Sequence, residues 1–546
     1  MEVGRRQFLR TGAVGAALVG LVGASGCALR ALTHPGAAAR GPGESPFQHG
    51  VASGDPLGDR VILWTRVSPK ASELLGSVHV DWWIARDTEA RDVVLRGYLH
   101  VGPERDFTLK VDAEGLEPGH DYYYGFSIEG HASPVGRTRT LPDEEASQAK
   151  LAVVSCANHP HGFFNAYACI ARRDDVDVVV HLGDYLYEYG NTGYGDGAAL
   201  GRIPDPPHET ISLEDYRRRH ALYKTDPDLQ AAHARHPWIT VWDDHESAND
   251  AWAGGAENHS PDEGDWNLRR LSAIRAYHEW MPIRDLPNGL FRSFRFGKLV
   301  DLVMLDTRLH DRDARVGPKD HAGAADSERT LLGADQTAWL LEQLSDSKRA
   351  GTCWRLIGQQ VVFAPLRGVF GEFNPDSWDG YRASRDEILE HLAREEIGDV
   401  VILSGDVHSA WALDVPVSGS DPGSPGSFAP VAERPFGAVE FVAPAVSSRP
   451  FGTYPVAREM VEKATPALPH IRYSNIDENG FLILDVTPER TQAEFFFSDS
   501  VKTRSGVCYR RAAFETRAGT NHLVPVTPVT PDAASTRADR STPSRQ

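Results

Sequence analysis

Four short apolar runs, each closed by side chains able to hold a metal, restrict this chain more than any other feature. Val176-Asp177-Val178-Val179-Val180 reads as a strand buried on both faces, and it runs into His181-Leu182-Gly183-Asp184-Tyr185-Leu186-Tyr187-Glu188. A carboxylate and a phenol thus leave the end of the strand where open α/β sheets build their sites. One Gly-Asp step after a strand is an ordinary turn, but the pattern returns three times. Lys150-Leu151-Ala152-Val153-Val154 leads to Ser155-Cys156, Trp238-Ile239-Thr240-Val241-Trp242 to Asp243-Asp244-His245-Glu246, and Asp399-Val400-Val401-Ile402-Leu403 to Ser404-Gly405-Asp406-Val407-His408. Four such ends predict a metal cluster along one edge of a sheet.

The stretches around these ends set the domain organisation. From 50 to 139, short alternating runs such as Val78-His79-Val80-Asp81-Trp82-Trp83-Ile84 lie between turn residues, which predicts a small β-sandwich. Leu116 to Tyr124 resembles the corner of such a sandwich, where a Tyr hydroxyl bonds back to nearby backbone. Beyond 146, strands alternate with helices: Leu268 to Glu279 and Gln336 to Leu344 have helical spacing, and Leu299 to Leu305 reads as a strand. The Gly- and Pro-rich segment 190–207 is expected to shape the entrance to the site. We divide the chain into leader and linker (1–44), N-terminal β-sandwich (45–142), catalytic domain (146–515) and a disordered Thr-, Pro- and Ala-rich tail (516–546).

Composition excludes some functions. The formal charge of −19 argues against broad affinity for nucleic acid or anionic lipid, although bound cations would reverse the potential locally. Cys156, Cys169, Cys353 and Cys508 are too few for a disulfide framework in a chain of 546 residues. Cys169 and Cys353 read as inert core thiols, and His233, His236 and His310 as surface residues. Arg5-Arg6 with Phe8-Leu9, followed by an apolar Gly- and Ala-rich run to Ala24, reads as a twin-arginine export signal. That makes the export machinery a partner and places the protein in the periplasm or outside the cell. Ala24-Ser25-Gly26-Cys27 offers a lipid anchor at Cys27, with cleavage after Ala37-Ala38-Ala39 as the alternative.

Gly-Asp-x-x-Tyr, an Asp-His-Glu end and a Gly-x-x-His end resemble the calcineurin-like metallophosphoesterases, which include the purple acid phosphatases. Ser155-Cys156, Gly183 to Glu188, Asp243 to Glu246 and Gly405 to His408 together resemble the PhoD-type alkaline phosphatase/phosphodiesterase family, over roughly residues 45 to 500. The resemblance implies an α/β, four-layer metallophosphoesterase sandwich, two mixed sheets flanked by helices, preceded by an immunoglobulin- or fibronectin-like β-sandwich. It also implies one Fe(III) with Ca²⁺.

The ligand types agree with that implication. Cys156, Asp184, Tyr187 and His408 offer several anionic donors suited to Fe(III), with zinc as another candidate. Asp184 would bridge to an oxygen site with Asp244 and Asp406, suited to Ca²⁺ or Mg²⁺. Hydroxide supplied by the cations would attack phosphorus in line. Asp244 and His245 are the catalytic candidates, with His245 protonating the leaving oxygen or bonding the phosphate and Glu246 orienting His245 or a metal-bound water. Arg308, Tyr381 and Arg382 are candidate substrate contacts. The expected substrate is a small phosphate monoester, with a diester as a further candidate. The rivals are a phospholipase D-like diesterase, and a catalytically inactive surface-binding protein.

Overall fold

Alternation along the strands decides which core each side chain enters. In the computed structural model, Leu302 and Met304 of the strand Val300–Met304 enter one core and Val303 another; the same switch occurs at Leu356/Ile357, Val401/Ile402 and Phe441/Val442. Successive strand residues face opposite sides, so runs apolar throughout are buried on both. These strands run parallel in the middle of a seven-stranded sheet, with Arg292–Phe296, Ala410–Val415 and Ile471–Asn475 paired antiparallel.

The first core is shared with a ten-stranded sheet, which contains the parallel trio Ala149–Val154, Val178–His181 and Pro237–Thr240. Helices Asn165–Ala171 and Pro227–Arg235 add Tyr167, Ile170, Leu229 and Ala232 to it. The second core is closed by Gly333–Arg349 and Arg382–Arg394, through Leu340, Leu344, Ile388 and Leu392 at helical spacing. The structure describes residues 39–529 except 42, 144, 287–288 and 416–436. The export signal, Cys27 and the end of the tail from 530 lie outside the described residues, which belong to one compact unit, Gly36–Gln546. Among them no helix is long and apolar enough to cross a membrane.

The N-terminal strands divide between two sheets. Val78–Ala85, Val93–Val101, Asp121–Ile128, His131–Ala132 and Gly136–Arg139 form a five-stranded sheet. Val51–Gly54, Arg60–Arg66 and Thr108–Glu114 instead continue the ten-stranded sheet, with Ser53 and Gly54 in parallel register with Pro237 and Trp238. One core, including Leu63, Val80, Val111 and Tyr124, lies between them. Sequence periodicity identifies strands but not the edge each one joins. Trp64 fastens this region further by donating its indole N–H to the Glu279 carbonyl at 2.9 Å. The Tyr122 hydroxyl accepts the Glu117 N–H at 2.9 Å, the backbone bond expected of a sandwich corner.

Three sequence expectations are corrected. Cys169 is no inert thiol: it is disulfide-bonded to Cys508, tying helix Asn165–Ala171 to the strand Cys508–Arg517 across a sequence separation of 339. Only the fold brings the two together. The segment 518–529 is built in, not disordered: Val524–Pro525 pairs with the strand before it, Leu523 is buried, and its N–H donates to Asp414 at 2.8 Å. Its lack of apolar periodicity gave no sign of these backbone partners. His233 and His236 are buried rather than superficial, with Tyr185 and Ile170 as their respective partners. Cys169→Ser should lower unfolding free energy by about 2–4 kcal/mol. Urea midpoints with and without reductant check this, because reductant should remove the difference from wild type.

Candidate metal centre

The four predicted ends meet where the two large sheets touch. Ser155 bridges Ala445, just beyond the strand Ala438–Val442, so the ends of both sheets converge. Cys156 N–H donates to the Gly183 carbonyl at 3.2 Å and Ala157 N–H to that of Asp184 at 2.8 Å, joining two ends of the ten-stranded sheet. Gly183 has φ +105° and packs so closely that a Cβ there would lie 2.5 Å from the Asp243 nitrogen. Only glycine lets these turns pass so near. Cys156, Asp184, Asp406 and His408 have φ of 59°, 55°, 67° and 49°. Left-handed backbone at four non-glycine residues costs about 1–3 kcal/mol each and gathers at functional sites.

The side chains assemble into three overlapping donor groups, Cys156/Asp184/His408, Asp184/Asp244/His245 and Asp243/Asp244/Asp406, each with ligand atoms within 4.8 Å of one another. Tyr187 joins the first: its hydroxyl donates to Asp184 Oδ2 at 3.0 Å, accepts from Ser448 at 2.7 Å and lies 3.0 Å from His408 Nε2. The other nitrogen of His408 lies 3.1 Å from the Tyr194 hydroxyl, so the segment 190–207 fixes that imidazole. Asp243, not assigned from sequence, belongs to the centre.

Charge is badly balanced in this chain alone. Asp243, Asp244, Asp376 and Asp406 surround Arg308, which is fully buried and bonds Asp243, Asp376 at 2.7 Å and Asp406 at 3.1 Å, while Asp184 has no such cation in contact among the described residues. Burial, then neighbouring carboxylates, hold Asp184 and Asp406 well above the usual carboxylate range. Burial likewise raises the Cys156 thiol, and Asp184 adds to it. Burial opposes the charge on Asp244 too, but there Arg308 and His245 win and its carboxyl is lowered. His408 is pushed down to about 3 by burial, which leaves the neutral imidazole a ligand requires. Asp184 Oδ1 and Asp243 Oδ2 are buried with no hydrogen-bond partner. Crowded carboxylates with unsatisfied oxygens beside a thiol, a phenol and a neutral imidazole fit cations, which would supply the missing charge and bonds.

Above the cluster lies a pocket of about 280 Å³. Asp244, His245, Asn249, Asp250, Asp406 and His408 line it together with the aromatic residues Tyr189, Tyr194, Phe370, Phe451 and Tyr454, and Tyr194 stacks against His245 and His408. His245 Nδ1 donates to Glu188 at 2.7 Å, which leaves Nε2 for a bound molecule. Glu188 therefore has the orienting role assigned from sequence to Glu246. Glu246 instead accepts the backbone N–H groups of Asp184 at 3.1 Å, Tyr185 at 2.6 Å and Asp243 at 2.8 Å, holding two strand ends together.

The candidate substrate contacts are not in the pocket. Arg308 is spent on carboxylates, Tyr381 donates to the Asp313 carbonyl at 2.7 Å, and Arg382 lies over the Phe373 ring at 5.1 Å. Two further residues escaped sequence reasoning. Ser448 comes from the segment after a distant strand, and buried Arg219 donates to the carbonyls of Tyr187, Pro206 and His208, bracing the central turn against the entrance segment. Glu188 and Asp243 had a usable signal, since each sits inside a strand-end motif.

Comparison with known proteins adds an independent line. Residues 151–495 match the family model described as PhoD-like phosphatase, and residues 33–142 match that of the PhoD-like phosphatase N-terminal domain. The chain is 36% identical over 495 residues to alkaline phosphatase D of Bacillus subtilis (strain 168), covering 86% of this chain and 80% of the relative. A solved structure described as PhoD superposes with a TM-score of 0.78 at 34% identity, covering 91% of this chain and 95% of that one.

Proposed function

We propose, from the premise that this chain belongs to the PhoD-like phosphatase family and is a phosphoric ester hydrolase, that it is an exported, metal-dependent enzyme releasing phosphate from organic esters. The observation that carries this is the convergence of Cys156, Asp184, Tyr187, Asp243, Asp244, Asp406 and His408 beneath one open pocket, with unpartnered carboxylate oxygens on Asp184 and Asp243. Cys156, Asp184, Tyr187 and His408 would hold Fe(III), and Asp184, Asp243, Asp244 and Asp406 a hard cation such as Ca²⁺. Zinc and Mg²⁺ are the competing occupants. Bound there, the cations would neutralise phosphate oxygens and lower the pKa of a water toward about 7.

The protein's own groups do the rest. Glu188 fixes the His245 ring, so that Nε2 can hand a proton to the departing alcohol oxygen. Tyr194 and Ser448 hold His408 and Tyr187 in place. The aromatic residues lining the pocket offer a surface for the alcohol portion of the ester. The two large mixed sheets and their flanking helices support reading the catalytic domain as a four-layer sandwich with these groups at the sheet junction. Arg5-Arg6 supports export, and the Cys169–Cys508 disulfide agrees with an oxidising compartment.

One observation favours diesters as a second substrate class. Tyr189, Tyr194, Phe370, Phe451 and Tyr454 line the pocket, so the second group of a diester finds aromatic surface there. Turnover of p-nitrophenyl phosphate, its bis-ester and phosphatidylcholine, with elemental analysis of the exported protein, tests these readings. Dominance of the lipid would replace ours with a phospholipase D-like one, and a metal-free active enzyme would overturn it. Tyr194→Phe should weaken cation retention about 10–100-fold, read by elemental analysis after graded chelation. Unchanged retention removes Tyr194 from the support of the site.

A further inference from the structure

The five-stranded sheet turns one face to solvent, and two histidines stand opposite each other on it. His79 of Val78–Ala85 is in direct antiparallel register with His100 of Val93–Val101, and Asp81 is opposite Tyr98 one step along the same face. Neighbouring Val78 and Val80 point into the core, so strand alternation pins both imidazoles outside. The His79 and His100 ring centres are 5.2 Å apart, with planes at 79°. Two imidazoles on one tetrahedral ion, at about 2.0 Å per bond, have ring centres about 5 Å apart. Asp81 accepts from His79 Nε2 at 3.1 Å, which fixes the tautomer and leaves Nδ1 with its lone pair. Tyr98 stacks on His79 at 4.8 Å and limits the ring's rotation.

We infer that His79 and His100, with Asp81 orienting the first, form a surface site for a divalent transition ion such as Ni²⁺, Zn²⁺ or Cu²⁺. Nitrogen donors select these over Ca²⁺ and Mg²⁺, which prefer oxygen. His79 and Asp81 side chains are 48% and 60% exposed, so water completes the coordination and the ion exchanges freely. The inference stands apart from the phosphoesterase reading, since none of these residues belongs to the pocket.

The test is calorimetric titration of the full, metal-loaded chain with NiCl₂ at pH 7.5, beside His79→Ala, His100→Ala and the milder His79→Gln and His100→Gln. Each substitution should weaken one Ni²⁺ binding event at least tenfold while phosphoester turnover stays at the wild-type value, and Asp81→Asn should weaken it less. CaCl₂ should give no heat that these variants remove. Identical Ni²⁺ isotherms for wild type and the histidine variants would overturn the assignment, as would a Ca²⁺ response of equal strength.

Discussion

Asp184→Asn is expected to leave the chain folded while phosphoester turnover falls by about three orders of magnitude. Asp184 belongs to two of the three donor groups, and its Oδ1 has no partner in the protein. Asparagine keeps the shape and removes the charge. Leaving a buried charge without its counterpart costs about 3–5 kcal/mol, and each 1.36 kcal/mol is a factor of ten in rate. The carboxyl is already driven toward its neutral form by burial and by Asp243 and Asp244. Metal-free Asp184→Asn should therefore unfold no earlier than the metal-free wild type, and its defect should lie in cation retention. Elemental analysis beside turnover decides the matter; a variant with full metal content and undiminished turnover would show that the cluster is not the centre of the chemistry.

Arg308→Met is expected to act in the opposite way, destabilising the fold by about 3–5 kcal/mol. Methionine fills much of the volume but strands Asp243, Asp376 and Asp406, which Arg308 now bonds inside the protein. Arg308 also ties residues from both large sheets at their junction, so its loss loosens the cluster before any substrate binds. Arg308→Lys should recover only part of the loss, because one ammonium cannot reproduce three divergent guanidinium bonds. Added cations should restore stability to the methionine variant more than to wild type, since they supply the missing positive charge. Urea midpoints with and without Ca²⁺ measure this, and an unchanged midpoint in both conditions would contradict it.

The sequence made the strand ends legible for a plain reason. A parallel strand buried on both faces must be apolar throughout, so a sudden Asp, Cys or His at its end stands out. Cys156, Asp184, Tyr187, Asp244, Asp406 and His408 were all visible in this way. Arg308, Tyr381 and Arg382 were misplaced because a charge or hydroxyl next to a motif carries no sign of its direction. Arg308 faces inward to carboxylates and Tyr381 to a carbonyl. Glu246 was given the role that Glu188 has for the same reason: both adjoin strand ends, but only coordinates show that Glu188 reaches His245 and Glu246 reaches backbone.

What the sequence determined by itself was local and chemical: which runs are strands, where each one stops, and which donors it presents there. The period of two and the identity of terminal side chains are properties of short segments, and they need no partner to be read. The tertiary structure alone decided which edges pair, which cysteines meet, and which carboxylates share one arginine. The N-terminal strands joining the ten-stranded sheet and the Cys169–Cys508 bond are both contacts between distant segments. Such contacts depend on how all the apolar faces are buried at once, and no window of neighbouring residues contains that information.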